Sequence, residues 1–174
     1  TWNAGAKGTG GVNGLAVAGI TLFSAIGTQI WKSSDSCKTW NTMEIAQANG
    51  KPVVALAAGA ENGSQIVFAV VDDEGVLRSN DLGETWIKVL GKDSMTSDGT
   101  RVVSELSDIV MPGNQVNAAY VNSVNQVFKT ENGGTTWVSV FRMDSNSNPG
   151  KSSLPFNVEK SWVQTEVKWG YDIS

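Results

Sequence analysis

The sequence contains no histidine and only one cysteine, Cys37. The absence of histidine excludes Ser-His-Asp catalysis, Cys-His catalysis and histidine-ligated zinc. A single cysteine can form neither an internal disulfide nor a cysteine-cluster metal site. We therefore predict no metal site and no cofactor.

Positive charge and long apolar runs are also scarce. The chain has 13 Lys and Arg residues against 17 Asp and Glu residues, which gives a net charge of −4. This acidic balance argues against nucleic-acid binding through a broad basic surface. No apolar run approaches the ~20 residues that a membrane span requires. The polar composition, rich in Asn, Ser, Thr and Gly with few lysines, favours a secreted or extracellular protein.

One eight-residue pattern, S-x-D-x-G-x-T-W, recurs along the chain, and each copy is called an octet below. The first octet spans residues 33–40 and has Cys37 at the glycine position, the second spans 79–86, and the third spans 130–137 with Thr for Ser and Asn for Asp. Short alternating segments flank each octet on both sides. A strand, a tight Gly- and Asp-containing turn and a second strand predict a β-hairpin.

The residue types of the octet suit such a turn. An Asp or Asn oxygen can accept hydrogen bonds from the amides of the turn, and glycine supplies a positive φ. The hydroxyls can join the two strand ends, and the tryptophan can bury a large ring between sheets. We assign a structural role, not a catalytic one, to Ser33, Asp35, Thr39, Trp40, Ser79, Asp81, Gly83, Thr85, Trp86, Thr130, Asn132, Gly134, Thr136 and Trp137.

The octet resembles the Asp-box, or BNR, repeat of sialidases, xyloglucanase-type glycoside hydrolases, sortilin-like receptors and photosystem assembly factors. The resemblance implies that each octet forms the hairpin between the last two strands of a β-propeller blade. Tryptophans that end an octet, or the tail of one, lie at positions 2, 40, 86 and 137. Repeats of roughly 40–50 residues with four strands each are typical of propellers.

We therefore predict an all-β fold, an incomplete arc of a β-propeller with about three four-stranded antiparallel blades. The blades span approximately 11–44, 52–90 and 102–141; residues 1–2 end a preceding blade, and residues 163–174 begin a following one. Because propellers have roughly four to eight blades, the remaining blades are expected partners, supplied by a longer chain, by other segments or by other copies. A start at Thr1 without an initiator Met indicates a processed or excised piece.

Ligand sites of propellers usually lie near the axis, on the face opposite the octets. The candidates for that face are the carboxylates Asp108 and Asp172 as weak catalytic groups, and Trp162, Trp169 and Tyr171 as ligand-binding rings that could stack on sugars. The alternatives are a strand-end Asp108 paired with Arg101 or Lys92, and tryptophans that pack in the core of the next blade. The acids at 72–74 could hold a hard cation, but a solvated turn is favoured.

Two functions from different classes fit these features. The first is an extracellular module that binds a glycan or a protein, or serves as structure. The alternative is part of a xyloglucanase-like glycoside hydrolase, in which two carboxylates act as acid and base and the missing blades complete the catalytic pair. A sialidase is a weaker fit, because none of the three arginines lies in the F/Y-R-I-P segment of that family. The sequence leaves open whether the protein is an enzyme.

Overall fold

A computed structural model describes residues 11–113 and 115–143 of the chain. Within these residues, twelve strands form three four-stranded antiparallel sheets, each with its strands in sequence order. The prediction of four-stranded antiparallel blades is confirmed for this part of the chain. The described residues include no helix with the length and apolar character needed to cross a bilayer.

The three sheets are named the first, second and third blades. The first contains β1 (Val12–Ala18), β2 (Thr21–Ile26), β3 (Gln29–Ser33) and β4 (Asn41–Glu44); the second contains β5 (Val53–Glu61), β6 (Ser64–Val71), β7 (Gly75–Ser79) and β8 (Ile87–Leu90); the third contains β9 (Leu106–Val110), β10 (Ala119–Ser123), β11 (Gln126–Thr130) and β12 (Val138–Arg142). A short 3-10 helix, Ala46–Ala48, lies in the connection between the first two blades.

The second blade is apolar on both faces because it packs between the other two. Strand β6 shows this most clearly: Phe68 and Val70 belong to a buried cluster shared with the third blade. Val67 and Val71 alternate with them and belong to a cluster shared with the first blade. Since successive side chains of a strand point to opposite faces, an unbroken apolar run predicts burial on both sides.

The first strands of the three blades lie next to one another, β1 against β5 and β5 against β9. Gly14 permits the closest approach, because a Cβ at this position would lie 2.9 Å from the backbone nitrogen of Leu56. Small buried side chains line the same junction, including Ala16 and Ala57. Adjacent inner strands with sheets extending outward from them are the arrangement of propeller blades around an axis.

The connection between the second and third blades is tied to the third blade by hydrogen bonds. The N–H of Ser97 donates to the carbonyl of Trp137 at 2.9 Å, and the N–H of Ser139 donates to Oδ2 of Asp98 at 3.0 Å. Partial burial of Asp98 raises its pKa, but hydrogen bonds from Thr96, Ser139 and Thr100 outweigh this and leave the pKa below its usual value. This carboxylate therefore stays ionised and holds the connection in place.

Candidate binding cleft

The second octet forms a closed hydrogen-bonded turn. The Ser79 hydroxyl donates to Oδ1 of Asp81 at 2.7 Å and accepts from the N–H of Gly83 at 2.7 Å. Asp81 also accepts from the N–H of Thr85 at 2.9 Å and from the Thr85 hydroxyl at 2.5 Å. The side chains of Ser79, Asp81 and Thr85 thus satisfy one another across the hairpin.

The other two octets repeat this pattern with one chemical difference. In the first octet, Asp35 accepts from the hydroxyls of Ser33 and Thr39 at 2.9 and 2.6 Å. In the third, Oδ1 of Asn132 accepts from the N–H of Thr136 at 2.9 Å, while Nδ2 donates to the Thr136 hydroxyl oxygen at 2.8 Å. The amide therefore closes the same turn without a charge.

Hydrogen bonding keeps the two octet carboxylates ionised. The hydroxyl of Thr39 and then its backbone N–H lower the pKa of Asp35 to about 2. The equivalent groups of Thr85 lower the pKa of Asp81 to about 2. A catalytic proton donor needs the opposite shift, so these residues act as turn formers.

Each of the two later octets packs against the blade that precedes it. The ring of Trp137 meets the ring of Phe68 edge to face, with centroids 6.1 Å apart. At Gly134, a Cβ would lie 2.8 Å from Cε1 of Phe68, so the octet approaches the second blade as closely as glycine allows. Nη1 of Arg78 donates to the carbonyl of Gly133 at 2.8 Å, which adds a polar contact to the same junction.

A cleft of about 460 Å³ opens between the second and third blades, at the end where the octets lie. This volume is within the range of small-ligand sites. Its polar lining consists of Ser64, Gln65, Arg78, Asn80, Asn117, Asn132 and Thr135, and its remaining lining of Gly63, Ile66, Val116 and Gly133. Among the described residues that line the cleft, none carries an aromatic ring. Its walls therefore present amide, hydroxyl and guanidinium groups rather than a stacking platform.

Arg78 supplies the positive charge of this cleft. Its Nη1 bonds to Gly133 and lies 3.4 Å from the hydroxyl of Thr135. Its Nε is buried and has no hydrogen-bond partner among the described residues. The third octet holds the guanidinium through Nη1. The packing of the two blades therefore sets the position of this cation in the cleft.

Of the five candidates on the opposite face, only Asp108 belongs to the described residues. It is exposed on β9, and its Oδ1 accepts from the N–H of Ile109 at 2.8 Å. Arg101 and Lys92 pair elsewhere, with Asp93 at 2.8 Å and with Glu105 at 3.0 Å. Asp172, Trp162, Trp169 and Tyr171 lie outside the described residues, as do the segments 1–2 and 163–174.

Two carboxylates of the acidic turn at 72–74 form ion pairs with lysines, and one of them also accepts a hydrogen bond from Asn49. Nζ of Lys51 lies 2.6 Å from Asp73, and Nζ of Lys88 lies 3.1 Å from Glu74. The hydrogen bond from Lys51 lowers the pKa of Asp73, and hydrogen bonds from Asn49 and Lys88 lower that of Glu74. In the part of the chain that the structure describes, no group of three or more His, Cys, Asp or Glu residues could hold a metal ion.

Sequence reasoning found no candidate in the cleft itself. Its walls come from the β5–β6 hairpin, the end of β7, the loop before β10 and the third octet, which are far apart in the sequence. The sequence pattern assigns the octet residues among them to turn formation alone. Arg78 is the one residue whose place in the sequence points to the cleft. It directly precedes the second octet, and a basic residue at that position lies beside the next blade.

Comparison with known proteins identifies the fold. No family model and no curated protein sequence matches the chain. Among solved structures, YCF48 from Cyanidioschyzon merolae matches with a TM-score of 0.56 and 15% identity over 76% of this chain and 37% of its own. A structure of YCF48 bound to D1 peptide matches with a TM-score of 0.57 and 11% identity, over 76% and 41% of the two chains.

An ancestral GH74 enzyme is a weaker match, with a TM-score of 0.47 and 18% identity over 74% of this chain and 17% of its own. The chain thus spans about two fifths of the length of the YCF48 structures. The YCF48 proteins are β-propellers. With its three four-stranded antiparallel sheets, the chain has the fold of an incomplete β-propeller.

Proposed function

We propose that this chain is an Asp-box propeller segment that binds an extended peptide of a partner protein in the cleft between its second and third blades. In this proposal the protein acts in the extracellular space, and further blades complete the propeller. The observation that carries the proposal is the lining of the cleft, in which amide side chains from two blades face one space.

Amide side chains match the chemistry of a peptide backbone. Each Asn or Gln offers a carbonyl acceptor and an NH₂ donor, which are the groups that an extended backbone presents in alternation. Gln65 and Asn80 lie on the second-blade side of the cleft, and Asn117 and Asn132 lie on the third-blade side. An extended segment between them can bond to both walls. The solved structure of a YCF48 protein bound to a peptide supports a peptide ligand for this fold.

The same lining argues against a polysaccharide as the ligand of this cleft. Sugar rings bind proteins largely by stacking on aromatic side chains, and none of the described residues that line the cleft is aromatic. The hydrolase alternative also requires a general acid with a raised pKa. Among the described carboxylates whose pKa departs from its usual value, all five are lowered: Asp35, Asp73, Glu74, Asp81 and Asp98.

Peptide selection followed by titration tests the proposal. A displayed library of unstructured peptides is selected against the chain, and the selected peptides are titrated by calorimetry into the wild type, Asn117→Ala and Gln65→Ala. We expect each variant to weaken binding about tenfold, since a lost hydrogen bond that leaves its partner unsatisfied costs ~1–3 kcal/mol. Asn41→Ala is the control, because this exposed asparagine lies on β4, outside the cleft.

Two results would contradict peptide binding at this cleft. The first is equal affinity of the selected peptides for the wild type and both cleft variants. The second is release of reducing sugar from plant or microbial polysaccharides by the chain, which would establish the hydrolase instead.

A further inference from the structure

The blades meet through a contact that the structure shows twice. The residue directly before an octet is basic, and it reaches the octet of the following blade. Nζ of Lys32 lies 3.0 Å from Oε1 of Glu84, the sixth residue of the second octet. Nη1 of Arg78 lies 3.4 Å from the hydroxyl of Thr135, the sixth residue of the third octet. A base before one octet thus faces an oxygen at the sixth position of the next.

An aromatic side chain accompanies each base. Phe23 is the cross-strand neighbour of Lys32, and Phe68 is that of Arg78. Phe68 receives the ring of Trp137 from the following octet. Phe23 lies in one buried cluster with Trp86 of the following octet. The repeated joint therefore combines buried aromatic side chains with a polar contact, and the rings meet edge to face in the joint between the second and third blades.

The third blade carries the same pair on its outward side. Tyr120 is the cross-strand neighbour of Lys129, the base that precedes the third octet. Unlike the fully buried Phe23 and Phe68, Tyr120 is only half-buried. Nζ of Lys129 lies 5.8 Å from the centre of the Tyr120 ring and 2.5 Å from Glu131 of its own octet. No following octet from the described residues covers this pair.

The first blade presents the complementary half of a joint. Trp40 ends the first octet and is half-buried, whereas Trp86 and Trp137 are buried. The sixth residue of this octet is Lys38, which is exposed and whose side chain has no ion-pair or hydrogen-bond partner among the described residues. A second copy docked head to tail would therefore place Lys38 beside Lys129, and like charges at a joint oppose association.

We infer that Tyr120 and Lys129 form the docking surface for the octet of a further blade, one with a carboxylate or hydroxyl at its sixth position, and that Lys38 disfavours a second copy of this chain as the occupant. The inference extends the proposal that further blades complete the propeller. It follows from the continuity of a joint observed twice and from the charge at position 38.

Self-association of charge variants tests this inference, with the chain itself as the probe. The change Lys38→Glu gives the first octet the carboxylate that the second octet has at Glu84. Sedimentation velocity should then show head-to-tail association about two- to fivefold tighter than that of the wild type, the range expected for a partly exposed ion pair. Lys129→Glu should tighten association similarly, because the reversed pair is again complementary.

Two double variants of equal net charge distinguish the effect of pairing position 38 with position 129 from the effect of net charge. Lys38→Glu/Lys129→Glu should return to the weak association of the wild type. Lys38→Glu/Lys51→Glu has the same net charge but keeps Lys129, so it should stay tight. Adding Tyr120→Ala to Lys38→Glu should remove the gain, because the aromatic half of the joint is lost. Thermal melting of each variant verifies that it is folded.

The inference is overturned if the wild type associates as tightly as Lys38→Glu. It is equally overturned if Lys38→Glu does not associate up to its solubility limit, or if Lys129→Glu fails to reverse its effect in the double variant. Peptide titration of Lys38→Glu reports on the cleft separately, since position 38 lies in the first blade. An unchanged peptide affinity alongside failed association would reject the docking surface and retain peptide binding.

Discussion

The ring of Trp137 packs on the ring of Phe68 at an interplanar angle of 69°. The two residues belong to different blades, so this contact joins an octet to the sheet that precedes it. The octet therefore closes its own hairpin with its polar side chains and fastens two blades with its tryptophan. Arg78 is the cross-strand neighbour of Phe68 and also lines the cleft, so one residue belongs both to this joint and to the cleft.

Truncation of Trp137 should destabilise the chain strongly. We expect Trp137→Ala to lower the free energy of unfolding by ~3–5 kcal/mol, because it removes a buried aromatic side chain. In a double-mutant cycle with Phe68→Leu, the coupling should be ~0.5–1.5 kcal/mol, the value of an edge-to-face pair. Urea denaturation measures both. Trp40→Ala is the comparison and should cost less, since Trp40 is half-buried.

Acid should weaken the first and second octets. The folded-state pKa values of Asp35 and Asp81 lie near 2, below the ordinary value of 3.8. A lowered pKa contributes stability that is present above pH 3.8 and is lost as the pH falls toward 2. Unfolding free energies measured by urea denaturation from about pH 5 down to about pH 2 should decrease along this series.

Asp81→Asn separates this effect from general acid destabilisation. Asn132 closes the third octet with an uncharged amide, so an Asn at position 81 can form the same turn. The variant should keep most of its stability at neutral pH and lose less than the wild type on acidification. An identical acid response in the wild type and Asp81→Asn would mean that the Asp81 carboxylate contributes nothing to it.

Glycine at position 37 should stabilise the first octet. Cys37 has a φ of 66° at the position where the other octets have Gly83 and Gly134, both with positive φ. A side chain is disfavoured in this region by about 1–2 kcal/mol, and part of the gain from glycine is offset by the entropy of the unfolded chain. Cys37→Gly should therefore raise the free energy of unfolding by ~0.5–1 kcal/mol.

Cys37→Ala is the matched control, because it removes the thiol and keeps the Cβ. It should leave stability nearly unchanged. If both variants stabilise equally in urea denaturation, the thiol and not the backbone conformation explains the effect.

Gln126 should be essential for docking the connection between the second and third blades. Its side chain is buried; Nε2 donates to the carbonyl of Arg101 and Oε1 accepts from the N–H of Val103, both at 2.9 Å. Gln126→Leu would leave both backbone groups without this partner, so we expect a loss of ~1–3 kcal/mol. Gln47→Leu, at an exposed position of the 3-10 helix, should have little effect.

The architecture was predictable because the octets recur and their residue types determine a turn. Ser79, Asp81 and Thr85 form local hydrogen bonds, so their pattern is visible in eight consecutive letters. The unbroken apolar runs of β5 and β6 likewise indicated a blade buried on both faces. These signals depend on neighbours in the sequence or on strand periodicity.

Strand ends and the cleft depend on distant contacts, which is why the sequence did not indicate them. The third blade was expected to begin near Val102, but β9 begins at Leu106 because the backbone of Val102 bonds to Asp93 and Ser94 in the preceding connection. Similarly, the N–H of Gln115 donates to the carbonyl of Pro112 in the loop before β10, and β10 begins only at Ala119. The cleft forms only when two blades and their hairpins are brought together.

The most direct test of the central claim, that the sheets pack side by side as blades with octets at their joints, is a solution NMR measurement of ring contacts. The account predicts nuclear Overhauser cross-peaks between the ring protons of Phe68 and Trp137 in the folded chain. Their absence, with both rings assigned and the strands protected from exchange, would contradict it.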